Sequence, residues 1–363
     1  MMNNPTIKTA IVAFGAAGKF MHAPFLKVLP QYYDIIAFLE RHKEESKELF
    51  PNAKIVRSMD ELLAIEELEL VIITTPNDTH FPYAKQSLLA GKHVVVDKPF
   101  TITSADAFEL IELSKQANKV ISVFQNRRYV SDFLTIKRLL HNKLLGDIHE
   151  YEAHYDRYRP EAKPNAWREE PEPGSGILYD LGAHLIDQAF YLFGLPEELT
   201  ADIRMQRPHA RTVDNFELKL GYGFNKVILK SSMLVREPGP RYMIHGTVGS
   251  FIKYGEDPQE VFLRAGKLPT EVPHFGEEDE SIFGKIHTDI SDHVFNEKYP
   301  SVKGNYGYYY ENIYKTIREG VALRERPEHA HNVIKLIELA TESNAKKATI
   351  QCSGFIEAAY PRD

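Results

Sequence analysis

Ala10-Ile11-Val12-Ala13-Phe14-Gly15-Ala16-Ala17-Gly18 runs from an apolar segment straight into a glycine-punctuated turn. The apolar run Ala10–Phe14 has no polar alternation, which predicts a strand buried on both faces, as in a parallel sheet. The residues after it predict a tight strand-to-helix connection. Gly15 leaves room for the backbone to approach a ligand, and Gly18 lets the helix pack closely on the strand. Ala13 occupies the place of the first glycine in this pattern. Ala16 and Ala17 lead into a helix whose free N–H groups suit a phosphate. Taken alone, the motif fits any tight strand–helix turn equally well.

Its surroundings extend the reading. Further apolar runs follow at Ile35–Leu39, Lys54–Val56, Leu70–Thr74, His93–Val96 and Val120–Phe124. Helix-start signals lie between them: Ser58 with Glu61, and Thr103 with Asp106. Gly91 stands where the helix after Asn77 should stop. Alternation of this kind predicts a doubly wound α/β domain over residues 1–126. Glu40 ends the second run, about 20 residues beyond the glycine turn, where an acid accepts hydrogen bonds from adenosine ribose hydroxyls. The combination predicts a dinucleotide cofactor. Glu40 favours NAD by repelling a 2′-phosphate, whereas Arg41 could pair with that phosphate and favour NADP; the balance is expected to favour NAD.

Two later strand ends belong to the same ligand edge. Thr74-Thr75-Pro76-Asn77 closes the fourth run, with His80 one turn onward; a proline turn with Asn77 as helix cap explains the same residues. Asp97-Lys98-Pro99 closes the fifth. A lysine at a strand terminus is most often simply solvated. Here Pro99 restricts Lys98 to extended backbone and makes a positioned ammonium plausible, with Asp97 helping to hold it.

From residue 127 to 363 the pattern changes. Ser131 is expected to cap a helix that stops near Gly146. Tyr151, Ala153 and Tyr155 alternate with Glu150, Glu152, His154 and Asp156, which predicts a strand with unlike faces in an antiparallel sheet. Phe216–Leu220, Val227–Met233, Tyr242–His245 and Phe251–Tyr254 read as further strands, and Glu328–Ser343 as a last helix. Residues 256–300 are polar and read as a long loop. The expected fold is an α/β N-terminal Rossmann domain plus an α+β C-terminal domain on a large, mainly antiparallel sheet.

Within that second half, Gly174-Ser175-Gly176-Ile177-Leu178-Tyr179-Asp180-Leu181-Gly182-Ala183-His184-Leu185-Ile186-Asp187 predicts a helix reaching Phe193. Asp180, His184 and either Asp187 or Gln188 share one stripe, while apolar residues cover the other sides. Polar groups on a buried helix need partners or a wet cavity. Three readings stay open: an internally satisfied Asp–His pair, a metal site, or an acid/base histidine oriented by a carboxylate. Because no second histidine pair stands at ligand spacing, no metal is expected. Gln125-Asn126-Arg127-Arg128 follows the sixth run, and Tyr158-Arg159-Pro160 and Trp167-Arg168 precede the glycine segment. These are either polar surface or donors and a stacking face for a ligand.

The chain has 363 residues, with 43% hydrophobic, 11% aromatic and 26% charged. This is ordinary globular composition. With 44 Lys and Arg against 51 Asp and Glu, the net charge of −7 lacks the basic field of nucleic-acid or anionic-membrane binders. A single cysteine, Cys352, excludes an internal disulfide and a cysteine-based zinc site. The first residues lack a basic n-region and a long apolar h-region, so no signal peptide is expected, and a cytoplasmic setting is.

With Lys98-Pro99 and Asp180-Leu181-Gly182-Ala183-His184 assembled, the chain resembles the Gfo/Idh/MocA (glucose-fructose oxidoreductase / inositol dehydrogenase) family over essentially its whole length. Asp97-Lys98-Pro99 is similar to that family's Glu-Lys-Pro motif, and the Asp180–His184 segment to its Asp-x-Gly-x-His helix. The resemblance implies a catalytic trio of Lys98, Asp180 and His184. It implies a cofactor, NAD or NADP, bordered by Ala13, Gly15, Ala16, Ala17, Gly18, Glu40, Arg41, Thr74, Thr75, Pro76, Asn77, His80, Asp97, Lys98 and Gln125, with Trp167 and Arg168 near it. Substrate contacts are implied for Asn126, Arg127, Tyr158, Arg159 and Trp167. Glu40-Arg41 replaces the small hydroxyl residue and arginine associated with NADP-using relatives. The implied reaction is hydride transfer between a nicotinamide and a secondary alcohol of a cyclic polyol or sugar, resembling scyllo-inositol dehydrogenases. The alternatives are a non-catalytic sugar- or cofactor-sensing protein, or a nicotinamide-recycling hydrolase or lyase. An antiparallel sheet with one bare face also predicts a homodimer or homotetramer.

Overall fold

Continuous runs of Ile, Val, Leu and Ala can be buried on both faces only if helices cover both sides of their sheet. The computed structural model describes residues 5–162, 166–290 and 293–361, and it shows this arrangement. Strands β1 (Ile7–Val12), β2 (Tyr33–Leu39), β3 (Lys54–Val56), β4 (Leu70–Ile73), β5 (His93–Val96) and β6 (Ile121–Val123) alternate with helices α1 (Ala23–Val28), α2 (Met59–Leu63), α3 (His80–Leu89) and α4 (Ser104–Gln116). The strands pair in parallel in the order β3-β2-β1-β4-β5-β6. Strand order reverses between β1 and β4, so ligands of such a sheet bind beyond the carboxyl ends of these two strands. Ala10, Ile11, Val12, Val71, Ile72, Val94 and Val95 are fully buried. The caps form as expected: Ser58 accepts the Glu61 amide at 3.2 Å and Thr103 the Asp106 amide at 3.1 Å, each contributing about 1 kcal/mol. Gly91, at φ +71°, lies just beyond the end of α3.

A second sheet is built from the later chain. Helix α5 (Ser131–His141) leads to β7 (Ile148–His154), and α6 (Ala183–Phe193) to β8 (Glu198–Arg204), β9 (Asn215–Tyr222), β10 (Asn225–Ser232), β11 (Tyr242–Gly246) and β12 (Gly249–Lys253). Strands β13 (Gly284–Ile290), β14 (His293–Tyr299) and β15 (Ile350–Gln351) complete the order β14-β13-β12-β11-β7-β10-β9-β8-β15. All neighbours are antiparallel except β7 and β10. On one face Tyr151 packs at 5.2 Å from Phe193 of α6. On the other, Glu150 meets Lys226, Lys230 meets Glu217, and His154 lies between Glu152 and Asp156.

Helices α7 (Gln259–Arg264) and α8 (Gly307–Glu319) return to the first sheet, and α9 (Pro327–Lys346) follows. The boundary expected at residue 126 divides the sequence, but the compact units also assign residues 259–275 and 305–331 to the first unit. In that unit the Tyr33 hydroxyl donates to the Tyr310 carbonyl at 2.6 Å, and Phe25 packs on Tyr306. Among the described residues, no helix is long and apolar enough to cross a membrane.

Two local expectations are corrected. Ser131 does not cap α5. Its amide donates to Asp257, its hydroxyl donates to Glu278, and the helix stops at His141. Residues 256–300 are not one loop, because they hold α7 and the β13–β14 hairpin. The described residues of β14 are nearly all exposed, so this edge strand carries little apolar signal.

Candidate functional site

The carboxyl edge of the first sheet is shaped by its turns. β1 exits through Ala13 at φ +74°, a left-handed conformation that costs a non-glycine residue about 1–2 kcal/mol. A Cβ on Gly15 would meet nothing within 4 Å, so open space lies over this peptide. At Gly18 the same atom would sit 2.8 Å from the Ala13 carbonyl oxygen and 2.9 Å from Thr74 Oγ1. Only glycine allows this approach. The helical run opens at Ala17 as a π-helical turn (Ala17–His22) and continues into α1. The Thr74 hydroxyl shares its one hydrogen between the carbonyls of Val12 and Ala13 at 3.1 and 3.0 Å. Asn77 is buried and begins a short 3-10 turn (Asn77–Thr79) after Pro76.

Two polar atoms at the strand ends of this edge carry an unmet demand. Thr75 Oγ1 and Gln125 Oε1 are buried and have no hydrogen-bond partner among the described residues. Such groups in a native fold call for a water or a ligand. Together with the space over Gly15 and the open helix N-terminus, they fit a dinucleotide at this edge.

Glu40 departs from the role expected of it. Its Oε2 accepts the Glu45 amide at 3.0 Å, and its Oε1 accepts the Ser46 amide at 3.1 Å and the Ser46 hydroxyl. The residue is 7% exposed. A carboxylate accepts at about four lone-pair sites, and three are taken. Glu40 therefore organises the β2–β3 loop and keeps about one acceptor site for another donor. Arg57 closes the same loop, donating to the carbonyls of Glu40 and Lys43 at 2.7 and 2.8 Å. Arg41 is exposed.

At the end of β5, Asp97 Oδ1 accepts the Lys98 amide at 2.8 Å. His80 is almost fully buried, with Nδ1 at 2.8 Å from the Pro99 carbonyl oxygen and Nε2 at 3.0 Å from that of Thr75. It lies between the β4 and β5 exits, and as a neutral ring it donates its one N–H to one of these two carbonyls. Burial pushes its imidazole below the ordinary value, against the pull of the Asp97 charge.

In the second unit, Leu178–Gly182 is wound as a π-helical turn that runs into α6. The wider turn alters the simple i, i+4 stripe. Asp187 faces Arg128 through two hydrogen bonds of 2.7 and 2.6 Å, both side chains being 2% exposed. Gln188 donates to the Arg127 carbonyl at 2.9 Å and accepts from the Tyr242 hydroxyl at 3.1 Å. Both residues hold the helix in place. Asp180 has Arg157 Nη1 at 3.7 Å and Arg168 Nε at 3.6 Å. Arg168 also stacks on Trp167 at 4.4 Å. The buried His184 imidazole lies 6.2 Å from the Tyr155 ring, which has Arg241 at 3.9 Å and Arg127 at 5.8 Å. Among the described residues, no group of three or more His, Cys, Asp or Glu could hold a metal ion.

The structure thus gathers Asp180, Arg168 and Trp167, and sets Arg127 near His184 through Tyr155. Tyr158 instead faces Arg236, whose guanidinium lies 4.3 Å from its ring and donates to its hydroxyl at 2.8 Å. Arg159 bonds Met233 through its amide at 2.7 Å, and Asn126 is buried at the start of a 3-10 turn. Sequence reasoning passed over Arg157 and Tyr155 as site residues. The alternation of Tyr155-Asp156-Arg157 beyond β7 was the available signal.

Residues 7–125 match the oxidoreductase family NAD-binding Rossmann fold, and residues 137–352 match the oxidoreductase family C-terminal alpha/beta domain. The chain is 43% identical to scyllo-inositol 2-dehydrogenase (NADP(+)) IolW of Bacillus subtilis (strain 168) over 345 residues, 95% of this chain and 96% of that one. It is 41% identical over 346 residues to the uncharacterized oxidoreductase YdgJ of Escherichia coli (strain K12), covering 95% and 98%. The solved structure of oxidoreductase yvaA from Bacillus subtilis superposes with a TM-score of 0.93 at 42% identity, covering 97% of this chain and all of that one.

Proposed function

This chain belongs to the Gfo/Idh/MocA oxidoreductase family, and we propose that it oxidises a secondary alcohol of an inositol-like polyol or a sugar, reversibly and with NADP in preference to NAD. The observation that carries the reading is the second unit's helix. It holds a buried histidine one turn from a carboxylate that faces two guanidinium groups, in a chain 43% identical to a scyllo-inositol 2-dehydrogenase.

Gly15, Ala16, Ala17 and the helix N-terminus would hold the cofactor's pyrophosphate, and Thr75 and Gln125 would meet its polar groups. When bound, the nicotinamide supplies the hydride acceptor for the carbinol carbon. His184 takes the hydroxyl proton as general base, a role that contributes about 10²–10⁴-fold. Asp180 orients the imidazole and is itself held by Arg157 and Arg168. The Lys98 ammonium stabilises charge developing on the substrate oxygen. Trp167 and Arg168 supply an aromatic face and donors for polyol hydroxyls.

The NADP preference follows from the β2–β3 loop. Glu40 is turned into its own loop, so the repulsion expected against a 2′-phosphate is weakened, and exposed Arg41 is left to pair with it.

The test is a panel of inositols and sugars with NAD and NADP, followed by nicotinamide absorbance, on the intact chain and on Lys98→Met and His184→Ala. Each variant should lose about 10²-fold or more in kcat while still binding cofactor. Absence of turnover on every polyol and sugar, or near-normal turnover in either variant, overturns the reading.

A further inference from the structure

Beneath the Asp97-Lys98-Pro99 turn lies a buried polar chain that the proposed reaction does not use. His22, in the π-helical turn after the glycine motif, is 0% exposed. Its ring packs at a tilt against Phe124, with centroids 4.2 Å apart, and edge-on to Tyr310 at 6.2 Å. Nδ1 lies 2.5 Å from the Tyr310 hydroxyl of α8. Nε2 has no partner at hydrogen-bond distance among the described residues, and it stands 3.9 Å from Asp97 Oδ1. That carboxylate oxygen accepts the amide of Lys98.

A buried polar atom left unpaired destabilises the fold. The tautomer settles where the demand points. An ionised carboxylate facing Nε2 favours the proton there, which leaves Nδ1 to accept from the Tyr310 hydroxyl. The ring proton then sits on Nε2, directed at Asp97. Burial pushes the Asp97 carboxyl up, but the His22 imidazole and then the Lys98 ammonium outweigh it and hold the carboxyl below its ordinary value. An ionised Asp97 is the acceptor this ring proton needs. On the opposite side His80 holds the Pro99 carbonyl. The peptide carrying Lys98 is gripped before and after the lysine.

We propose that Tyr310, His22 and Asp97 form a relay of positioning residues that sets the placement of Lys98, with the His22–Asp97 contact closing from 3.9 Å to a hydrogen bond in the working enzyme. This inference rests on the reading of Lys98 as the group that meets the substrate oxygen. None of the three relay residues touches substrate in this scheme. Their effect therefore falls on kcat through Lys98, and cofactor affinity is left to the glycine turn. The relay also couples the returning helix α8 to the strand-five exit within the first unit.

A double-mutant cycle on the full chain tests it, using the best polyol of the panel with saturating cofactor. Asp97→Asn and His22→Gln should each lower kcat about 5–20-fold, with KM for the polyol and cofactor Kd changed less than about threefold. The double variant should lose no more than the weaker single variant, because parts of one device do not add. Asp97→Glu, which keeps the carboxylate, should recover several-fold of the Asn loss, and Tyr310→Phe should lower kcat about 2–5-fold. Multiplying losses, or losses confined to thermal stability or cofactor Kd, overturn the relay. Lys98→Met separates the two ideas. If it turns over near normally, the catalytic reading itself fails. If it is inactive while Asp97→Asn and His22→Gln are normal, only the relay fails.

Discussion

Replacing Glu40 by serine separates two physical roles for one carboxylate. In the structure Glu40 accepts two backbone amides, those of Glu45 and Ser46, and one hydroxyl. Hydrogen bonds to a charged group contribute about 1.5–3 kcal/mol each, and the neighbouring amides are partly wet, so the sum must be discounted. A loss of about 2–4 kcal/mol follows for the substituted chain. At roughly 2–4 °C per kcal/mol for a unit of this size, Tm should fall by about 5–15 °C. The measurement is thermal unfolding of the cofactor-free protein, which isolates the loop from any ribose contact. In parallel, the ratio of kcat/KM for NADP over NAD should change less than about threefold, because the carboxylate is already turned away from the cofactor. A Tm within 2 °C of the unmodified chain, together with a tenfold swing toward NADP, would refute the loop role and return Glu40 to the ribose.

The same loop predicts that Arg41→Ala lowers kcat/KM for NADP about tenfold and leaves that for NAD nearly unchanged, since a charged hydrogen bond to phosphate is worth about 1.5 kcal/mol or more; equal losses with both cofactors would count against it. Burial lowers the His93 imidazole to about 4 in the folded chain, where its Nδ1 accepts the Val120 amide. The unfolded chain therefore binds the extra proton first, and this contribution to stability is full above pH 6.5 and is lost as pH falls from there toward 4. His93→Gln should flatten the pH dependence of Tm over that window, and an unaltered slope would show that other groups govern it. The second sheet's face opposite Tyr151 carries the Glu150–Lys226 and Lys230–Glu217 pairs, and we expect it to pair with a second copy of the chain. Light scattering that gives a monomer at micromolar concentration would exclude that assembly.

Much of the fold was readable because its causes are local. Six apolar runs announced the parallel strands, and Ser58 and Thr103 cap their helices with atoms three residues away. Gly18 is dictated by a turn of a few residues, and Asp180 and His184 share one helical stretch, so motif reading found them. The edge strand β14 was missed because its described residues are nearly all exposed, and no apolar pattern records a strand that pairs mainly through its backbone.

By itself the sequence determined the parallel sheet and the antiparallel sheet and singled out Lys98, Asp180 and His184 as candidates, since periodicity and short motifs act within a few residues. Tertiary structure alone decided which partner each polar group took. Asp187 chose Arg128, 59 positions away, and His22 met the Tyr310 hydroxyl across 288 positions. A carboxylate or imidazole binds whatever donor or acceptor the fold brings within about 3 Å, and that distance is set by packing between remote segments.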